Sequence, residues 1–388
     1  MKVDVSVFEN MTDEDFFSNK LTHIYFNSEV TNKSVNKLID EINEANKEII
    51  TKDGAIIQPK PILIHIASHG GYVTAGMRLL SVFALSNVPI ATIIDNYSAS
   101  AATFLTISSH YRLINNYGYC LIHDYSAAIY GKHEKIKNMM FLYDKYFSKI
   151  IEMYKDKTKF EEEELLELLQ HDLLLDSNFC LKKGIVDRII KIEQKPKNIK
   201  KKINIKKIIQ NNHNNIVMIT CDNSLDKIDK ILFEDNLTPV ILYPRRKACD
   251  KNTNDTSDDY ENGDNEDPII FRTLNIIPRI LKIKAPVYGI IDGPISIDDL
   301  LPMLYCDHIF MFDYAYIVSN ILYYYKKNAL LLSDNIANTN LIFNIIKKIL
   351  KEKTNMPDDK IEGINNKFSI IDANTAKELG ICNTIIHN

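Results

Sequence analysis

No two cysteines in this sequence are spaced as CxxC: Cys120, Cys180, Cys221, Cys249, Cys306 and Cys382 lie scattered along 388 residues. Neither a zinc site nor a disulfide framework is expected from such spacing, and reduced thiols in an intracellular compartment fit best. There is no apolar run of the roughly 18 residues a membrane span requires. The stretch MKVDVSVFENMTDEDFF is acidic and lacks an apolar core, so a secretory signal is not expected. Strong positive charge is missing as well. The net charge of −4 gives no general drive toward nucleic acid, which demands a basic surface. Together these absences predict a soluble cytoplasmic protein with no metal, cofactor, membrane or nucleic-acid requirement. What remains is 45% apolar and 25% charged, a globular composition, in a chain long enough for two full cores.

Read in order, the first half alternates strand and helix patterns. Residues 20–28 and Pro61–Ala67 read as strands, and residues 31–47 as an amphipathic helix with Val35, Leu38, Ile39 and Ile42 at helical spacing. Ser68-His69-Gly70-Gly71-Tyr72 reads as a turn opening a helix over about 73–86. Strands are predicted through Arg112–Ile114 and Tyr119–His123, a long helix over about 132–155 and a short acidic one over about 160–170. The alternation predicts an α/β fold with right-handed crossovers.

One stretch organises the rest. Val88–Ile94 is a β-branched run of strand length; Asp95-Asn96-Tyr97 reads as a polar turn, and Ser98-Ala99-Ser100-Ala101-Ala102 opens a helix. Backbone N–H groups converge at such a junction, which suits a nucleophile whose product is an oxyanion. The ordinary explanation for Ser98 or Ser100 is a helix cap. Likewise His123 at a strand end fits a core histidine, and Asp172 fits a surface acid.

Residues 191–215, rich in lysine and asparagine, read as a solvated linker. Residues 216–388 then repeat the first half. Residues 86–123 lie without a gap over 283–320, matching Pro89 to Pro286, Asp95 to Asp292 and Tyr117 to Tyr314. Near the end Asp176 matches Asp372 and Gly184 matches Gly380, which predicts an internal duplication. An acidic segment, about 245–267, interrupts the second copy and reads as a disordered loop.

Three motifs of the first copy line up with one family. Ser68-His69-Gly70-Gly71-Tyr72-Val73-Thr74-Ala75-Gly76 resembles the S-P-G-G-x-V-x-A-G loop of ClpP-type serine peptidases. Ser98-Ala99-Ser100-Ala101-Ala102 resembles their A-A-S-M-G/A nucleophile turn, and Leu121-Ile122-His123 their histidine strand. Asp172 lies twelve residues before Gly184-Ile185-Val186-Asp187, the family's spacing for its triad aspartate. The resemblance covers about residues 20–190. It implies Ser100 as nucleophile, His123 as general base and then acid, and Asp172 as the group that orients the imidazole. The backbone N–H groups of Gly71 and Ala101 would form the oxyanion hole. Ser98 is off the motif position, and His65, His69 and His171 are expected to be structural or exposed.

The sequence also departs from the family. Histidine replaces proline at position 69, which predicts a less rigid loop. Asp124-Tyr125 replaces Gln-Pro after the histidine, and no arginine precedes Asp172. In the second copy Ser100, His123 and Asp172 fall on Ile297, Asn320 and Phe368, and Gly70-Gly71 on Asp267-Pro268. That copy is expected to fold but to be catalytically dead.

The resemblance thus implies two tandem ClpP/crotonase-like (ββα-superhelix) α/β domains: an active one over 1–190 and a degenerate one over 216–388. It implies a serine endopeptidase subunit acting on polypeptides, and a homo-oligomeric ring or a mixed ring with other ClpP-like subunits. The segment around Ser126–Lys132 and the long helix would form the handle between rings. An AAA+ unfoldase partner follows from the resemblance alone. Two other classes stand beside this reading. One is a non-proteolytic ring-assembly protein that keeps the fold. The other is a crotonase-like acyl-CoA enzyme, disfavoured because no glutamate sits beside Ser100 or Gly70-Gly71.

Overall fold

In the computed structural model, which describes residues 3–50, 56–126, 129–191, 217–220, 239–244, 269–319, 332–366 and 369–387, strand alternation sets the architecture of the first half. Strand β1 is Thr22–Phe26, a short antiparallel pair joins β2 (Ile49–Ile50) to β3 (Ile56–Ile57), and β4 is Ile62–Ser68. Strands β5 (Ile90–Ala99), β6 (Tyr111–Asn115), β7 (Tyr119–Leu121), β8 (Leu174–Asp176) and β9 (Arg188–Ile190) follow. The main sheet runs β1-β4-β5-β6-β9, all parallel. Its central strand β4 is buried at every position, as expected for a parallel strand covered on both faces.

The two faces have different covers. Ile62, Ile64 and Ile66 share one core with Val35, Leu38 and Ile42 of α2 (Asn32–Ala45) and with Leu79 and Phe83 of α3 (Val73–Ala84). Helix α2 begins at Thr31, whose hydroxyl accepts from Ser34 N–H while Ser34 Oγ accepts from Thr31 N–H, a reciprocal cap. The other face is covered by the N-terminal segment, including the short helix Ser6–Glu9. Phe8 and Phe16 are fully buried and stack with Tyr111, each burial stabilising by about 1.5–3 kcal/mol.

Strand β5 extends further than its apolar run. Residues 91–94 pair with β6; the register then shifts, and 97–99 pair with β7. Asp95, Asn96 and Ser98 are therefore buried strand residues, which corrects the expectation of a polar turn. Their side chains find partners on neighbouring elements: Asp95 Oδ2 meets His65 Nδ1 at 2.8 Å, and Ser98 Oγ meets Thr106 Oγ1 at 3.2 Å. The remaining helices of this half are α4 (Thr103–Ser108), α5 (His133–Lys157), α6 (Glu162–Leu169) and α7 (Ser177–Lys182).

The chain divides into two compact units, Met1–Ile192 with Ala329–Asn338, and Glu193–Asn328 with Thr339–Asn388. In the second, strands 217–220, 240–243, 287–291, 308–312 and 384–386 form a parallel sheet in that order. Beside it, strand 294–296 pairs in parallel with 316–319, which pairs antiparallel with 369–372. The strand order thus matches that of the first unit. The linker beyond Lys191 and the acidic segment 245–267 lie outside the described residues. Among the described residues no helix is long and apolar enough to cross a membrane.

Candidate active site

The register of one antiparallel pair creates the first contact of the site. Strand β7 pairs with β8 so that Leu121 faces Leu174 and Tyr119 faces Asp176. Two residues further along, the same register sets His123 opposite Asp172. There His123 Nδ1 and Asp172 Oδ1 lie 2.7 Å apart. The side chains are 31% and 21% exposed, so the pair is open enough to meet a substrate and covered enough for its hydrogen bond to orient the ring.

Ser100 arrives on the neighbouring strand. Ala99 pairs with Leu121, so the residue after β5 emerges at the same sheet end as His123. Ser100 caps nothing: the 3-10 turn Ser100–Ala102 has Ala99 at its start and no side-chain cap. Instead Ser100 has φ +53°, alone among the described non-glycine residues in the left-handed region. Such a conformation costs about 1–3 kcal/mol and lasts only where the surroundings impose it. Gly70 supplies part of that constraint, since a Cβ there would lie 2.7 Å from Ser100 Cβ.

The glycine turn is pinned rather than loose, which corrects the expectation drawn from His69. Ser68 Oγ donates to Ser28 carbonyl at 2.6 Å and accepts from Gly70 N–H at 3.2 Å. Val30 N–H donates to Gly70 carbonyl at 2.7 Å, and Tyr72 N–H to Val30 carbonyl at 2.8 Å. Gly70 and Gly71 take φ of +100° and +144°, which only glycine adopts without strain. Among the described residues the N–H groups of Gly71 and Ala101 donate to no protein acceptor.

Ser100 and His123 line one pocket, walled by Val73, Phe104, Tyr125 and Tyr154 among others. No hydrogen bond joins Ser100 Oγ to His123. Tyr125, which replaces the family's proline, stacks on Tyr143 with ring centres 5.3 Å apart and meets Phe147 edge-on at 5.9 Å. The residues after His123 are thereby tied to α5.

Sequence reading missed Ser68, Val30 and Asn338. Asn338 Nδ2 donates to Asp172 carbonyl at 2.6 Å, and Leu174 N–H donates to Asn338 Oδ1 at 2.8 Å, as a strand would along that edge. No local signal marks a contact 166 residues away in sequence. Ser68, by contrast, opens the glycine motif and was visible. His65 is structural, buried against Asp95. Among the described residues no cluster of three His, Cys, Asp or Glu is placed to hold a metal.

In the second unit Ile297, at the position matched to Ser100, is buried and begins helix Ile297–Met303. Ser296 caps that helix, accepting from Asp299 N–H at 3.1 Å. Asn320 and Phe368 lie outside the described residues.

Residues 16–193 match the family model described as Clp protease. No curated protein matches the chain. Among solved structures, a point mutant of ClpP1 from Listeria monocytogenes is similar, with 17% identity and a TM-score of 0.37, over 44% of this chain and 91% of that one. The glycine turn, the Ser100 turn and the histidine strand all fall inside the matched segment, and residues 16–193 are a Clp protease-type domain.

Proposed function

We propose that the first unit is a serine endopeptidase that cleaves peptides or unfolded polypeptides through Ser100, His123 and Asp172. The observation that carries this reading is the His123–Asp172 bond of 2.7 Å at the pocket that also holds the Ser100 turn. Ser100 Oγ attacks the scissile carbonyl as His123 Nε2 takes its proton. Asp172 holds the Nδ1–H tautomer and stabilises the imidazolium, which then protonates the leaving amine. The Gly71 and Ala101 N–H groups, with no competing acceptor, receive the developing oxyanion. Water repeats the sequence on the acyl-enzyme. Aromatic and aliphatic walls fit an apolar side chain next to the scissile bond.

The second unit is a degenerate copy, inactive and structural, in this reading. Its matching strand order and the capped, regular helix at Ile297 support that. By analogy with Clp-type peptidases, the chain assembles into a homo-oligomeric or mixed ring and works with an AAA+ unfoldase. Exposed Tyr130, Met140 and Phe141 on and before α5 are consistent with a handle that meets another subunit.

A second reading, a non-proteolytic ring-assembly subunit, is favoured by the missing Ser100–His123 bond. Hydrogen bonds of this kind often close only around substrate, so the open geometry does not decide. A fluorophosphonate probe and short fluorogenic peptides, applied to the assembled oligomer, separate the two. Labelling and hydrolysis by the wild type, both lost in Ser100→Ala, are expected. Equal labelling of both proteins, or none of either, overturns the peptidase reading.

A further inference from the structure

We propose that Tyr154 is a positioning residue of this site, aiming the Ala101 N–H through Thr103; the proposal rests on reading Ser100 as the nucleophile. Tyr154 lies on α5 and is 2% exposed, so its hydroxyl must find a partner inside the protein. The partner is Thr103 Oγ1, and Thr103 Oγ1 in turn donates to Ser100 carbonyl at 2.6 Å. A carbonyl oxygen has no proton to give, so the single threonine hydroxyl proton is spent on Ser100. The proton between the two hydroxyls must then come from tyrosine. The relay has one direction: Tyr154 O–H to Thr103, Thr103 O–H to the Ser100 carbonyl. Burial raises the phenol above its ordinary range, which keeps it a donor at every working pH.

The carbonyl it holds belongs to the Ser100–Ala101 peptide. In a planar trans peptide the C=O and the N–H point in opposite directions, and no peptide bond described here is cis. Fixing the Ser100 oxygen therefore fixes the direction of Ala101 N–H, the oxyanion donor of the proposed mechanism. It also restrains the turn in which Ser100 keeps φ +53°. Gly70 bounds that turn on one side, and the relay bounds it on the other. Tyr154 further lines the pocket beside Ser100, so tyrosine to phenylalanine keeps the wall and removes only the donated bond.

The test uses the full-length assembled protein with Tyr154→Phe, Thr103→Val and Thr103→Ser. Tyr154→Phe and Thr103→Val are expected to lower kcat about tenfold to a hundredfold, with KM within about twofold. Thr103→Ser, which restores the hydroxyl, is expected to recover most of the rate. The double variant Tyr154→Phe/Thr103→Val should lose no more than the worse single one, because both break one relay. Affinity for a peptide boronate should fall with kcat, a change that loss of packing alone would not produce selectively. If Tyr154→Phe does not fold, Thr103→Val and its serine rescue carry the test. Variants within twofold of wild-type kcat overturn the relay while Ser100→Ala still abolishes activity. If Ser100→Ala keeps activity, the functional reading fails instead.

Discussion

A methyl group on Gly70 would lie 2.6 Å from Ala99 carbonyl and 3.0 Å from Ala101 N, at a backbone φ of +100°. Neither neighbour is a flexible side-chain end, so the nucleophile turn itself would have to move. Gly70→Ala is expected to destabilise the fold by about 1–3 kcal/mol and to slow fluorophosphonate labelling at least tenfold. Gly363, with nothing within 4 Å of its Cβ position, is the matched control: Gly363→Ala should leave labelling unchanged and stability unchanged or raised by up to about 1 kcal/mol. Equal labelling by both alanine variants would show that the turn does not need the glycine. At this scale the sequence marked the glycines, Ser100, His123 and Asp172, because each sits in a motif of fixed order. It could not reveal that Ser100 is left-handed, since that conformation comes from Gly70 and Thr103 pressing on it from other segments.

At the scale of elements, β5 shows where local pattern fails. Its apolar run stops at Ile94, and the following Asp-Asn pair reads as a turn by any local rule. The strand continues because β4 offers His65 to Asp95 at 2.8 Å, and His65 Nε2 meets His23 Nδ1 at 3.0 Å. His23 Nε2 donates to Ser18 carbonyl at 2.9 Å, so the chain of bonds links three strands to the N-terminal segment. His65 and Asp95 are both essentially buried, so removing one partner leaves the other desolvated and uncompensated. Asp95→Ala is expected to cost about 3–5 kcal/mol in denaturant unfolding. A cost below about 1 kcal/mol would mean that the pair contributes little and that apolar packing alone extends β5. The other elements were legible because their periodicity is satisfied locally. Helix α2 puts Val35, Leu38 and Ile42 on one face, and its Thr31 cap lies in sequence next to it. The β7–β8 pairing was legible only as two separate segments, and its register needed the tertiary structure.

At the scale of the whole chain, the repeated sequence and the matching strand order of the two units describe one architecture with two outcomes at the same place. In the first unit the strand leads into a strained serine turn; in the second it leads into a helix capped by Ser296, with Asp298 just inside. Asp298 is 4% exposed, and burial, aided by the nearby Asp299 charge, pushes its carboxyl up to about 7. An unfolded aspartate titrates near 4. Between those values the folded unit holds a proton that the unfolded chain has released, so this group makes stability fall as pH rises from about 4 to about 7. Above that range the folded state carries a buried anion, at a cost bounded by about 4 kcal/mol. Asp298→Asn removes the titration while keeping the shape. Hydrogen exchange of peptides spanning 287–303, corrected for intrinsic rates, should show little difference between wild type and variant near pH 4.5. Near pH 8 the variant should be the better protected. Parallel pH profiles for the two proteins would mean that Asp298 does not limit the second unit, and its destabilising charge would have to be sought elsewhere.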